Sequence, residues 1–227
     1  MRSRVICNAL APEAREALGR LGRIQRYPRG TTLVWEGEDS RIVANLLSGV
    51  LKLSSSTADG KEQILGVAYP SDFVGRLFAP VASYRVTALT DVEVCLFSRT
   101  AFEAFAREHP ALEHALLEHT LADLDRAHAQ LLDLGRRSAS ARVAAFLLDL
   151  SQRLAEARCA AAGGDGQPLD SFDLPLDRQQ IADLTGLAIE TVSRTLQKFH
   201  RAGIIALAGR RHVEIRDRAR LATIAEA

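Results

Sequence analysis

The sequence predicts an α+β protein, strand-rich in its first half and helical in its second. Three observations carry this. From Arg26 to Phe97, short apolar runs recur between turn signals. From Arg99 onward the pattern turns helical, and residues 111–135 contain no Pro and no Gly before Gly135. Near the C-terminus, two helical stretches join through Gly186, and two short apolar runs flank Gly209.

Each element has its own signal. Residues 11–23 read as a short amphipathic helix ending near Gly22. The turn signals that follow are Pro28-Arg29-Gly30, Glu36-Gly37, Ser48-Gly49, Asp59-Gly60 and Pro70-Ser71-Asp72. Runs such as Thr31–Trp35, Ile64–Val67 and Val92–Leu96 suit strands, and many short strands predict a β-barrel or β-sandwich. Ser98 or Thr100 can cap a helix that stops before Pro110. In the next helix Leu117, Leu121, Leu124, His128 and Leu131 are spaced 4, 3, 4, 3. That seam suggests pairing with a second copy of the chain, with packing on the chain's own barrel as the alternative. A hinge is expected at Gly135-Arg136-Arg137-Ser138, then a helix capped by Ser140, a loop at 160–168 and a short strand at 172–176.

Asp177 is a good N-cap for the helix that follows. Gly186 can end it in the left-handed conformation. A second helix is expected from about Ala188 to Ala202, with Val192, Leu196 and Phe199 buried. Ile204–Leu207 and His212–Ile215 then read as a hairpin with a basic tip, Arg210 and Arg211. Helix, Gly turn, helix and basic wing together match a DNA-binding helix-turn-helix.

Charge and chemistry agree with this. The whole chain carries only +1, but Arg178–Arg220 holds nine basic and four acidic residues. Such a local excess suits phosphate binding. On the second helix, Arg194 can donate twice to guanine and Glu190 can accept from cytosine, while Ser193 is short and adaptable. Arg178, Gln179, Thr191 and Ser140 are the expected phosphate contacts. The competing reading is a surface pair between Glu190 and Arg194, four residues apart.

Other classes find less support. Cys7, Cys95 and Cys159 are odd in number and far apart, so neither a disulfide framework nor a CxxC pair is expected. No run of apolar residues is long enough to span a membrane and no secretory leader pattern is visible, which points to the cytoplasm. No Ser-His or Cys-His signature and no phosphate-cradling Gly loop indicates an enzyme.

The stretch Arg178–Phe199, RQQIADLTGLAIETVSRTLQKF, resembles the helix-turn-helix of the CRP/FNR family of bacterial transcription regulators. The form Glu190-x-x-Ser193-Arg194 is similar to the FNR and FixK branches. The resemblance implies an N-terminal cyclic-nucleotide-binding-like β-barrel (jelly roll) over 1–108, a dimerisation helix and hinge over 109–137, and a winged helix-turn-helix over 138–227. It also implies a homodimer on a palindromic TTGAT…ATCAA-type site in double-stranded DNA, and activation through RNA polymerase.

Three departures bear on control. Where the family's nucleotide pocket has a Gly-Glu pair, Gly75 is followed by Arg76, and Ala82 stands about where the phosphate-binding Arg belongs, so cyclic nucleotide is not expected as a ligand. Arg76 or Arg85 could still hold some anion. The clustered cysteines of iron–sulfur members are missing, since a cluster needs about four thiolates. His109, His114, His119 and His128 have no shared-metal spacing and are expected to be solvated, with a haem ligand among them as the alternative. No cofactor or metal is predicted. The alternative is a regulator gated by a small molecule, haem or thiol oxidation through the barrel.

Overall fold

Alternating apolar residues between Arg23 and Ser98 form strands that share one core. The computed structural model describes residues 6–162, 166–209 and 211–227. It divides into two compact units, Met1–Lys61 with Leu65–Arg126, and Glu62–Ile64 with Ala127–Ala227.

In the first unit a 3-10 turn (Ile6–Ala9) precedes helix α1 (Pro12–Leu21). Eight strands follow: β1 (Arg23–Tyr27), β2 (Thr32–Val34), β3 (Ile42–Ser48), β4 (Leu51–Ser56), β5 (Glu62–Ala68), β6 (Phe73–Val74), β7 (Arg85–Ala88) and β8 (Val92–Ser98). One sheet has the order β1-β8-β3-β6 and the other β2-β7-β4-β5. Of the barrel or sandwich that the sequence predicts, the strands form the two-sheet arrangement, two separate four-stranded sheets, and no closed barrel. Their edges include β6, two residues long, and β2, three residues long, too short to close a continuous ladder. Leu46, Leu51, Val86, Val92, Val94 and Leu96 fill the core between the sheets. A second cluster, around Leu18, Val43, Phe97, Phe102 and Leu112, sets α1 and α2 (Arg99–Glu108) against β3 and β8.

Helix α3 runs without a break from Pro110 to Arg136. The Gly135 expected to open a hinge lies inside it. The bend falls at Arg137 and Ser138, within the expected Gly135–Ser138 stretch, and α4 (Ala139–Ala162) follows. Ser138, not Ser140, caps α4, its Oγ accepting from Ala141 N–H at 3.2 Å. Ser140 sits in the first turn, half-buried. Of the loop expected at 160–168, residues 160–162 belong to α4 instead, and 163–165 lie outside the described residues.

Two stripes run along α3. Leu112, Leu116 and His119, spaced 4 and 3, face the second cluster and β6. His119 is therefore not solvated. Its side chain is 14% exposed, and its Nε2 accepts from Phe73 N–H at 3.1 Å while Nδ1 faces Asp123 at 3.4 Å. His109 stacks on Phe105, with ring centroids 3.9 Å apart. Only His114 and His128 are exposed as expected. The other stripe stays open: Leu117, Leu121, Leu124 and Leu131 are 55%, 52%, 48% and 66% exposed.

The second unit is built on α4, which packs against α5 (Arg178–Thr185), α6 (Ile189–Arg201) and α7 (Arg218–Glu226). Strands β9 (Ser171–Asp173), β10 (Ile205–Ala208) and β11 (His212–Ile215) form one sheet in the order β10-β11-β9. Val143, Leu147, Leu174, Ile181, Leu196 and Phe199 are buried at its centre.

Candidate nucleic-acid interface

Helix α5 is set by its ends. Asp177 accepts from Gln180 N–H at 2.9 Å, and Gln180 Oε1 accepts from Asp177 N–H at 2.9 Å. This reciprocal capping box satisfies two donors that the helix start leaves open. At the other end Gly186 takes φ 63°, a left-handed conformation that costs other residues energy. Ile181 is buried as expected, and Leu184 is half-buried. The turn redirects the chain into α6, whose N-cap is Ala188.

Helix α6 is sharply two-sided. Val192, Thr195, Leu196 and Phe199 are buried, and Thr195 joins a stripe predicted without it. Glu190, Arg194, Gln197, Lys198 and Arg201 are exposed, with Thr191 and Ser193 half-exposed. Arg194 Nη2 donates to Thr191 Oγ1 at 3.4 Å, and among the described residues Glu190 and Arg194 form no ion pair. The i,i+4 surface pair is therefore not what holds these side chains. Glu190 in the first turn and Lys198, His200 and Arg201 in the last complement the helix dipole. Gln197 belongs to the same open face, one turn beyond Ser193 and Arg194. Its 4, 3, 4 spacing with Glu190, Arg194 and Arg201 was the available signal.

The expected phosphate contacts are dispersed. Arg178 opens α5 and is half-buried, and burial pushes its guanidinium below its ordinary range. Gln179 is exposed but engaged, its Nε2 donating to Asp183 Oδ1 at 2.7 Å. Ser140 lies on α4, on a different element from the α5–α6 pair. On the wing, Arg211 turns its Nη1 toward Pro175 O at 3.5 Å, and Arg210 lies outside the described residues.

The wing also holds an arrangement no sequence signal announced. His212 pairs across the strands with Asp173, Nδ1 to Oδ1 at 2.9 Å, and its Nε2 meets Ser171 Oγ at 3.1 Å. The order is nucleophile, imidazole, carboxylate. Yet it lies on an open sheet face with Asp173 78% exposed, where solvent screens it. Its evident effect is to clip β9 to β11.

In the first unit, the stretch resembling a nucleotide pocket is chemically altered. Gly75 takes φ 108°, and an added Cβ would stand 2.9 Å from Ile42 O. Arg76 after it is exposed and Ala82 is buried. If the resemblance places the ribose and phosphate contacts at these two positions, a cation and a methyl would face groups that need an acceptor and a donor. Arg85 lies 5.1 Å over the Trp35 ring. An iron–sulfur cluster fits no better. Cys7 and Cys95 pack on one apolar cluster, and buried Asn45, opposite Cys95 in the β3–β8 ladder, donates to Cys7 Sγ at 3.0 Å. Burial pushes both thiols up, the wrong direction for thiolate ligands. Cys159 stands apart on α4, leaving two thiols where about four are needed.

Comparison with known proteins assigns these two units. Residues 141–224 match the Crp-like helix-turn-helix domain, and residues 24–109 match the cyclic nucleotide-binding domain. The transcriptional activator protein FnrL of Cereibacter sphaeroides is 38% identical over 97% of this chain and 88% of its own. The chain belongs to the CRP/FNR family. The nitrogen fixation regulation protein FixK of Bradyrhizobium diazoefficiens is 36% identical over 91% of this chain and 84% of its own. Among solved structures, FixK2 from Bradyrhizobium japonicum superposes with a TM-score of 0.81 at 29% identity, covering 91% of this chain and 98% of that one. The fold class is thereby that of a CRP/FNR regulator, with α5 and α6 as its helix-turn-helix. Among the described residues no helix is long and apolar enough to cross a membrane.

Proposed function

We propose that this CRP/FNR regulator is a homodimeric transcription activator. It binds a palindromic TTGAT…ATCAA-type site, contacts RNA polymerase, and needs no small-molecule effector to bind. The observation that carries the reading is the open face of α6, where Glu190, Ser193 and Arg194 stand clear of the buried stripe in its first two turns. Side chains there are the ones that reach base edges when such a helix enters the major groove. The exposed leucines of α3 support the dimer, since a stripe of that size is costly to leave in water. Relatives named as activators support the direction of regulation. The altered chemistry at Arg76 and Ala82 supports effector independence. The test is a gel shift of purified protein on a TTGAT…ATCAA duplex with nothing added. Binding is expected, and binding only after cyclic nucleotide or another small molecule is added would overturn the effector-free reading.

A second reading has one observation in its favour. Cys7 and Cys95 share a cluster beside Asn45, so an oxidant that reached one thiol would meet both, although burial holds each in its less reactive protonated form. A shift that is lost with a thiol oxidant and restored by dithiothreitol would favour it, and equal binding in both would remove it.

A further inference from the structure

Where the end of α3 meets α5, one side chain that neither the base-reading nor the dimer argument uses bonds to both helix ends. Helices α3 and α5 both end there, and helix ends expose carbonyls carrying partial negative charge. Arg142, in the first turns of α4, is half-buried among them. Its Nη2 donates to Leu134 O at 2.8 Å and its Nε to Arg137 O at 3.0 Å, both at the end of α3. Its Nη1 donates to Thr185 O at 3.2 Å, the last residue of α5.

Nearby contacts repeat the link. Gln130 of α3 donates from Nε2 to Leu184 O at 3.4 Å. Leu134 Cδ2 stands 2.8 Å from the position a Cβ on Gly186 would take, so α3 also touches the turn. Asp133 pairs with Arg137 at 2.8 Å on the same helix end. The planar guanidinium can satisfy three carbonyls in one fork, whereas a lysine ammonium is a point charge without that geometry.

We propose that Arg142 is a positioning residue that locks the last turns of α3 to the α5–Gly186–α6 reading head and so sets the direction of the reading helix. Because α6 follows α5 through a fixed left-handed turn, the angle between α3 and α6 depends on this fork. In the dimer proposed above, that angle governs whether two reading helices meet half-sites about one helical turn, or 34 Å, apart.

The test measures the angle directly and does not depend on DNA. Nitroxide labels go on exposed Ala129 of α3 and exposed Gln197 of α6, with Cys7, Cys95 and Cys159 changed to serine. The labelled full chain is diluted into excess unlabelled chain, and the label-to-label distance distribution is recorded. A single narrow distribution is expected for the parent. Arg142→Gln should broaden it with unchanged far-ultraviolet dichroism, and Arg142→Lys should fall between. An unchanged distribution in Arg142→Gln overturns the proposal. If Arg142→Gln does not fold, Arg142→Lys decides in the same way. On DNA, Arg142→Gln should lose about tenfold or more on a two-half-site TTGAT…ATCAA duplex while a single half-site is bound as before. Equal losses on both duplexes count against positioning. If the parent binds neither duplex, the proposed function fails, and the distance measurement still decides this inference.

Discussion

Arg194 and Arg178 are both arginines of the helix-turn-helix, yet their surroundings predict different losses. Arg194 is exposed on α6 with only a long hydrogen bond to Thr191, so it is free to reorient toward a base. Arg194→Ala should cost about 1–3 kcal/mol on the preferred duplex and relax preference at one guanine. Arg178 is half-buried at the start of α5, and the role proposed for it is a phosphate contact that carries no sequence information. Arg178→Ala should weaken preferred and scrambled duplexes alike and flatten the salt dependence. Titrations of both variants on both duplexes check this, and equal losses for Arg194→Ala would contradict its base-reading role. The residue types at Glu190, Ser193 and Arg194 were legible in the sequence because they interrupt no apolar stripe. Arg142 was not legible. Its role depends on carbonyls 8 residues before and 43 residues after it, and no local pattern announces such a meeting.

At the scale of the element, the helix-turn-helix rests on its ends. Asp177→Ala removes a two-way capping box and should cost about 1 kcal/mol. Gly186→Ala meets two penalties, a left-handed φ of 63° and the close approach of Leu134. About 1–2 kcal/mol is expected from the backbone alone, with more if Leu134 must shift. Denaturant unfolding of each variant reads these values, and a Gly186→Ala protein as stable as the parent would contradict the turn's assigned strain. Both features were visible beforehand because caps and left-handed turns are local. The α4 cap was read two residues late for the same local reason. Ser138 and Ser140 are both competent caps, and only the packing of Ala141 and Val143 into the core decides where the helix starts. In α3, the strong outer seam concealed the inner stripe that takes His119 to Phe73.

At the scale of the whole molecule, two predictions concern assembly and pH. Leu124→Glu places a charge in the exposed α3 stripe and should yield a monomer by light scattering with reduced affinity for a two-half-site duplex. An unchanged dimer would refute the stripe as the seam. The second concerns Cys7, Cys95 and Tyr84, each pushed up by burial. Their neutral, protonated forms are favoured in the folded chain. The stability they contribute is complete below their unfolded values and is lost as pH rises through the folded ones. The denaturant midpoint should therefore fall from about pH 8.5 upward, where free thiols begin to ionise. Cys7→Ala should shallow that fall, and a midpoint flat from pH 7 to 10 would contradict the burial assigned to these groups.

The sequence by itself determined the order of elements, the helix-turn-helix with its Gly186 turn, the open face of α6 that carries Glu190, Ser193 and Arg194, and the exposed leucine stripe of α3. These follow from periodicity, caps and turn residues, which act over a few neighbours. Only the tertiary structure decided that the strands stay as two sheets, that His119 is held against β6, that His212 joins Ser171 to Asp173, and that Arg142 gathers two helix ends. Each of these joins residues far apart in the chain, and a guanidinium or imidazole takes its partners from whatever carbonyls and carboxylates the packing brings within about 3 Å.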